Sequence, residues 1–241
     1  MPDKPLIAIA GASSGIGEAA ARTFSRAGHP LLLMARRLDR LEALGLPNAM
    51  HKKVDVRDRS TLAAAVSDAE AVYGPVDLMF ANAGIARLGD IAKQPPEEWD
   101  EMIDINTKGV MNSVHAVMNG MIDRKRGTLV MMSSIAGRKV YPDHTVYCGT
   151  KFFVHAVSES LREYLAPHDV RVIVVSPGII DTEVLDHVKD ETTLANYKAN
   201  KAAIGGGIAP DVVADLILNA YQLPQRAIVQ EIVITPTRQK Y

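Results

Sequence analysis

The sequence predicts an α/β fold: a parallel sheet with helices on both faces, in one domain spanning residues 1–241. Three observations carry this expectation. Strand-like apolar runs alternate with longer helical patterns along the whole chain, the order that builds a parallel sheet through crossover helices. Several strand runs are almost continuously apolar, as strands covered on both faces are. No Ser/Pro-rich linker or composition shift divides the 241 residues, so a length that allows one large domain or two small ones reads as one.

The elements follow in order. LIAIA from Leu6 is the first strand, and GIGEAAARTFSRAG from Gly15 the first helix. PLLLMA from Pro30 and MHKKVDV from Met50 are the next strands, followed by the helical STLAAAVSDAEAVYG and the strand VDLMFAN from Val76. The stretch from Pro96 to Lys125 reads as one long helical pattern, ahead of TLVMMSS from Thr128. In TVYCGTKFFVHAVSESLREYL from Thr145, Phe152, Phe153, Val154, Ala156, Val157, Leu161 and Leu165 form a broad apolar stripe. VRVIVVSP from Val170, PDVVADLILNAY from Pro210 and IVQEIVI from Ile228 complete the set. Residues 183–207 break the rhythm: they are polar and end in Gly205, Gly206 and Gly207. A long insertion after a strand predicts a lid over a site, the alternative being an exposed helical pair.

Composition narrows the class. With 47% hydrophobic residues, 23% charged and a net charge of −1, the chain has ample core and no electrostatic footprint for nucleic acid or an anionic membrane. The basic run Arg124, Lys125, Arg126 is short and precedes a glycine, as a solvated helix end does. Cys148 is the one cysteine, which excludes an intramolecular disulfide and suits a reducing, cytoplasmic compartment. The strand at Leu6 leaves no room for a signal peptide, and no apolar run has membrane-spanning length. The seven histidines are scattered, with no HExxH pair and no Cys/His cluster, so no metal is expected.

Gly11, Ser13, Ser14, Gly15, Ile16 and Gly17 lie between the first strand and the first helix. Glycines there permit a tight turn and close approach of a pyrophosphate, which the helix N-terminus attracts. A tight βα turn with no ligand is the alternative. An NAD site would place an acid at the end of the second strand. Here that strand ends in Ala35, then Arg36 and Arg37. Arginine forks onto phosphate, so NADP(H) is the expected cofactor. Arg36 is assigned to the 2′-phosphate, Arg37 to the adenine flank, and the Ser13 hydroxyl adds to the phosphate contact. Two solvated arginines at a helix start would be the bland reading.

GASSGIG from Gly11, DV at Asp55, ANAG from Ala81, Asn106, SS at Ser133, YCGTK from Tyr147, and PG at Pro177 followed by Thr182 occur in one order over nearly the whole chain. In these motifs the sequence resembles the short-chain dehydrogenase/reductases. It looks most like the NADP-dependent branch of serine 3-dehydrogenase-like hydroxy-acid dehydrogenases and aldehyde reductases, which the tail EIVITPTRQ also resembles. The resemblance implies a Rossmann-type doubly wound sheet of seven parallel strands and a homotetramer. It implies catalysis by Asn106, Ser134, Tyr147 and Lys151, with Ser134 preferred over Ser133 because it lies thirteen residues before Tyr147. By the same resemblance Asp55 and Val56 hold the adenine, and Asn82, Ala83 and Gly84 line the adenosine ribose. Pro177, Gly178, Ile180 and Thr182 hold the nicotinamide end, which Tyr147 and Lys151 also meet. One departure is Ala10, where the family usually has a threonine whose hydroxyl ties neighbouring strands.

Carbonyl reduction needs a hydride donor, a proton donor and a group to hold the oxygen. Tyr147 and Lys151, four residues apart, project from one helical face. A phenol titrates near 10 unless a nearby cation lowers it; Lys151 is expected to do so and to bond the nicotinamide ribose. Ser134 would donate to the substrate oxygen, and Asn106 would position a water linking Lys151 to solvent. Singly, these are a surface pair, a strand-end cap and a polar helix residue. The function read from them is NADP(H)-dependent interconversion of an alcohol and a carbonyl compound (aldehyde, ketone or short hydroxy acid). The alternatives are an epimerase or dehydratase, which usually carries a longer C-terminal substrate domain, and a non-catalytic NADPH-binding protein, which typically lacks the Tyr or Lys. Pocket walls are expected from Ile135, Ala136, Gly137, Arg138, Tyr141, His144 and residues 185–197. Arg138 and His144 raise an anionic substrate, or are solvated loop residues. The long helices from Glu97 and Thr145 offer a four-helix contact between subunits.

Overall fold

A computed structural model describes residues 4–240. Seven strands form one parallel sheet: β1 (Leu6–Ala10), β2 (Leu31–Ala35), β3 (Ala49–Lys53), β4 (Val76–Ala81), β5 (Gly127–Met132), β6 (Val170–Pro177) and β7 (Glu231–Ile234). Their order is β3-β2-β1-β4-β5-β6-β7, so the winding reverses between β1 and β4. In open α/β sheets ligands bind at such a switch point, outside the carboxyl ends of the strands.

Alternation along each strand divides the core in two. Leu6, Ala8 and Ala10 face a layer formed with α3 (Arg59–Tyr73), α5 (Gly109–Asp123) and α6 (Thr145–Leu165). Ile7 and Ile9 face the opposite layer, with α1 (Gly15–Arg26) and α8 (Pro210–Gln222). Burial outweighs local preference here. The leucines and methionine of β2 favour helix intrinsically, by a few tenths of a kcal/mol per residue. Leu31, Leu32, Leu33 and Met34 are each fully buried in the sheet, which stabilises them by roughly 2 kcal/mol apiece.

Three boundaries differ from expectation, and two of them shape the cleft. β3 ends at Lys53, so Asp55 and Val56 leave the sheet. β7 is only four residues long; just before it, Arg162 donates to the facing Val172 and Gln230 carbonyls, each at 3.2 Å. The helix expected from Pro96 is interrupted. α4 (Pro96–Ile103) runs into a π-helical turn at Asp104–Lys108 before α5 begins, and the Gly109 N–H reaches back five residues to the Asp104 carbonyl. Such bulges often mark functional positions; Asn106 sits inside this one, fully buried. A helical pattern does not reveal the bulge, because its cause lies in another part of the chain.

Residues 183–207 begin with a short 3₁₀ turn (Glu183–His187), followed by α7 (Glu191–Ala203), which Asp190 caps by accepting from the Thr193 N–H at 2.6 Å. A five-residue helix, α2 (Leu38–Glu42), follows Arg37.

Candidate active site

The turn after β1 is held open by backbone geometry that only glycine adopts without strain: φ is +78° at Gly11 and +57° at Gly15. Gly17 is needed for a different reason. A Cβ there would lie 2.1 Å from the Gly11 carbonyl oxygen, so its absence lets α1 pack onto the turn. Asn82, just past β4, donates to that same Gly11 oxygen at 3.0 Å, and the Gly11 N–H donates to the Met34 carbonyl at 2.8 Å. The strand ends are therefore tied together although Ala10 has no hydroxyl. Ser14 precedes α1 but its side chain does not cap the helix; its hydroxyl accepts from Arg37 instead. No side chain caps the start of α1, and its first residues, Gly15 and Ile16, line the cleft, an arrangement suited to an anion.

Beyond β2 the two arginines diverge. Arg37 Nη2 donates to Ser13 Oγ at 3.1 Å and Ser14 Oγ at 3.0 Å. Arg36 lies where its charge acts on Asp55 and His187. The Asp55 carboxylate is held below its usual range chiefly by hydrogen bonds from Arg57. Arg37, rather than Arg36, thus contacts the serine hydroxyls of the glycine turn.

At the other end of the cleft, Lys151 and Tyr147 stand in the first turns of α6. Lys151 is 4% exposed. Its Nζ donates to the Met132 carbonyl at 3.0 Å and lies 5.6 Å from the centroid of the Tyr147 ring. Burial lowers the ammonium from 10.5 to about 8. The expectation that Lys151 would lower the phenol fails: burial raises Tyr147 to about 12, and the opposing pull comes from its hydrogen bond with Ser134. The lysine charge is directed onto the Met132 carbonyl, while the surrounding wall strips water from the phenol.

The lysine is held at a cost to the fold. Below pH 8 it is charged in both folded and unfolded chains, and the shift from 10.5 to about 8 then destabilises the fold by roughly 3 kcal/mol. Between about pH 8 and 10.5 the folded chain binds fewer protons than the unfolded one, so the penalty fades as pH rises. Lys151→Met removes the charge but leaves the Met132 carbonyl without its donor, an offset of about 1–2 kcal/mol. The expected result is a melting midpoint raised by roughly 3–6 °C at pH 7, with the gain shrinking towards pH 10. A lower midpoint at pH 7 would contradict it.

Asn106 does not line the cleft. Its Oδ1 accepts from the Ile85 N–H at 2.9 Å, and its Nδ2 donates to the Ile85 carbonyl at 2.9 Å and to Thr150 Oγ1 at 3.2 Å. The side chain therefore clamps the chain after β4 to α6. A Cβ at Gly84 would come within 3.3 Å of Asn106 Oδ1 and 3.6 Å of Lys151 Nζ, so a bare backbone passes closest to the lysine. Both Nδ2 hydrogens and one Oδ1 lone pair are thus taken up within the protein.

The glycine turn, the two arginines and the Tyr147–Lys151 pair border one cavity of about 560 Å³, within the range of small-molecule sites. Gly11, Ser13, Ser14, Gly15, Ile16, Arg36, Arg37, Asp55, Val56, Asn82, Ala83 and Gly84 line one part of it, and Ser134, Tyr147, Lys151, Pro177, Gly178, Ile180 and Thr182 another. Gly17 and Asn106 lie behind the wall. Ile135, Ala136, Tyr141 and His144 also face it, as do Val184, Leu185 and Tyr197 from the inserted segment. His144 Nδ1 lies 2.6 Å from Asp143 Oδ1. Gly137 and Arg138 are not part of the wall; Arg138 is ion-paired with Glu231. Among the lining residues not assigned a site role from the sequence are Gln239 and Glu183. Gln239, in the C-terminal tail, accepts from the Ile179 N–H at 2.9 Å and occupies the space a side chain at position 178 would need. Glu183 pairs with Arg37 and Arg40. The sequence signals were that Glu183 directly follows the PG…T motif and that Gln239 ends the family-like tail EIVITPTRQ.

A nucleotide-sized cleft at the switch point of a doubly wound sheet, with a glycine turn at one end and a buried Tyr–Lys pair at the other, defines a dinucleotide-dependent oxidoreductase. The sequence profile of the short chain dehydrogenases matches residues 5–193. An uncharacterized oxidoreductase of Staphylococcus saprophyticus is 36% identical over 97% of this chain and 96% of its own. The NADP-dependent 3-hydroxy acid dehydrogenase YdfG of Salmonella typhi is 30% identical over 98% and 96%. Among solved structures, the closed form of serine dehydrogenase complexed with NADP+ superposes with a TM-score of 0.90 at 29% identity, covering 98% of this chain and 96% of the other. The chain belongs to the short-chain dehydrogenase/reductase family, and it is an NAD(P)-dependent oxidoreductase. No helix among the described residues is long and apolar enough to cross a membrane.

Proposed function

We propose that the protein is an NADP(H)-dependent carbonyl reductase, working reversibly as an alcohol dehydrogenase, with Tyr147 as general acid and base. The observation that carries this reading is convergence. Ser134, Tyr147 and Lys151 meet in the same cavity as the glycine turn, and Arg37 reaches the serines of that turn. The glycines leave room for a pyrophosphate, the uncapped start of α1 suits its charge, and the arginines suit a 2′-phosphate. Arg37, bonded to Ser13 and Ser14, is the better candidate for that phosphate, and Arg36, near Asp55, for the adenine flank. The NADP+ bound to the serine dehydrogenase structure and the NADP dependence of the Salmonella relative support the same choice.

Bound NADPH supplies the hydride to the carbonyl carbon. The Ser134 and Tyr147 hydroxyls donate to the carbonyl oxygen as charge gathers on it, and Tyr147 delivers its proton there. A phenol raised to about 12 is a well-protonated donor, and in the reverse direction it needs Lys151's charge to act as a base. Asn106 is a positioning residue that holds the loop carrying Gly84 and Ile85 against α6. Residues 183–207 act as a lid, since Val184, Leu185 and Tyr197 close the substrate end. The whole chain works as a single domain. Exposed Ile103 on α4 and Phe152 on α6 suit helix pairing between subunits of a homotetramer, and the buried, unpaired Cys148 suits a cytoplasmic setting.

The substrate end favours a neutral carbonyl over a hydroxy acid. Its walls include Ala86, Leu88, Ile135, Val184, Leu185 and Tyr197. Arg138 is taken up by Glu231, His144 is paired with Asp143, and Lys151 is committed to Met132. Oxidation of NADPH with neutral aldehydes and ketones, against oxo acids of matched length, tests this. Neutral substrates should lead by at least about ten-fold in kcat/KM, the scale of one unpaired charge. Equal efficiency would overturn the substrate reading. NADPH binding without turnover of any substrate would favour a coenzyme sensor.

A further inference from the structure

We infer that Glu183 is a specificity-determining residue, an internal carboxylate that competes with the coenzyme's 2′-phosphate for Arg37. The inference rests on the NADP(H) reading above and adds a residue to it. Glu183 is the first residue of the inserted segment, directly after Thr182, whose side chain lies near Gly15. Its Oε2 accepts from Arg37 Nη1 at 3.4 Å, and its two oxygens accept from Arg40 Nη1 at 2.8 and 2.9 Å. The same Arg37 guanidinium donates its remaining nitrogens to Ser13 and Ser14. One arginine thus joins the glycine turn to the start of the segment that covers the cavity.

An exposed carboxylate–arginine pair contributes little to stability; with side chains 44–47% exposed, the Arg37–Glu183 pair is of that kind. Its effect on an incoming anion is larger. A phosphate dianion engaging Arg37 from the serine side has a fixed negative charge across the guanidinium. Arg40 holds that carboxylate in place with two contacts, and its hydrogen bonds keep Glu183 below the usual carboxylate range, so it is ionised when coenzyme binds. The carboxylate therefore lowers affinity for the 2′-phosphorylated coenzyme selectively and leaves NAD(H), which has no such phosphate, nearly untouched. Capture of the phosphate also loosens the Arg37 anchor of the segment while the Arg40 anchor remains.

The test is binding by calorimetry to the intact protein, without turnover. Adenosine 2′,5′-bisphosphate and 5′-AMP report the adenine end alone, and NADPH and NADH report the whole coenzyme. Glu183→Gln should tighten adenosine 2′,5′-bisphosphate and NADPH about three- to ten-fold at low salt, with 5′-AMP and NADH changed less than two-fold, the Coulomb scale for charges several ångströms apart in a wet site. The gain should diminish at high salt. Unchanged or weakened NADPH binding in Glu183→Gln, with the wild type still preferring the 2′-phosphorylated ligands, would overturn the inference alone. A wild type with no such preference would overturn both it and the NADP(H) reading.

Discussion

Tyr147→Phe is expected to lower kcat for carbonyl reduction by about 10³-fold, the usual contribution of a positioned general acid, while the Kd for NADPH changes little. The hydroxyl is the only atom lost. The ring keeps its contacts with His144, whose centroid is 6.1 Å away, and with Lys151, so the fold should persist. Stopped-flow mixing with NADPH and substrate separates binding from hydride transfer. Retained turnover near the wild-type rate would refute the assignment of Tyr147 as the proton donor. The direction of its titration makes the case sharper. With the phenol raised to about 12 and the lysine lowered to about 8, the member of this pair that ionises nearer neutrality is Lys151, not Tyr147. Activity that depends on the lysine's charge is complete below pH 8 and falls as pH rises through it.

The second large effect belongs to the arginines. Arg36→Ala together with Arg37→Ala should weaken NADPH by about 100-fold or more, since each charge-assisted contact to phosphate is worth roughly 1.5–3 kcal/mol. NADH should weaken far less, so the preference between the two coenzymes should collapse. Of the single variants, Arg37→Ala should be the more damaging, because Arg37 already bonds the serine hydroxyls of the turn. Parallel titrations with both coenzymes measure this. Equal losses for NADPH and NADH would mean that the arginines do not read the 2′-phosphate.

Much of the cleft was legible because its determinants are local. Gly11 and Gly15 adopt conformations that other residues resist, and their spacing between a strand and a helix marks the turn. The boundaries of β6, Val170–Pro177, coincide with the apolar run in the sequence, since all eight residues are buried and nothing else competes for them. The four-residue spacing of Tyr147 and Lys151 places both on one face of any helix. The interrupted helix at Asp104–Lys108 was not legible. Its partner, Ile85, lies 21 residues upstream of Asn106, and no pattern within residues 96–125 records that bond.

The sequence by itself determined the class of fold, the positions of the glycine turn and Tyr–Lys pair, and the chemistry those residue types permit, because periodicity, glycine φ and helical spacing act over a few residues. Only the tertiary structure decided which arginine meets Ser13 and Ser14, that Glu183 reaches this arginine across 146 residues of chain, and that Gln239 of the tail backs Gly178. It also decided the sign of the Tyr147 shift. Solvent exclusion depends on every wall that surrounds a group, and the walls of this cavity are assembled from strand ends, an inserted helix and a tail that lie far apart in the chain.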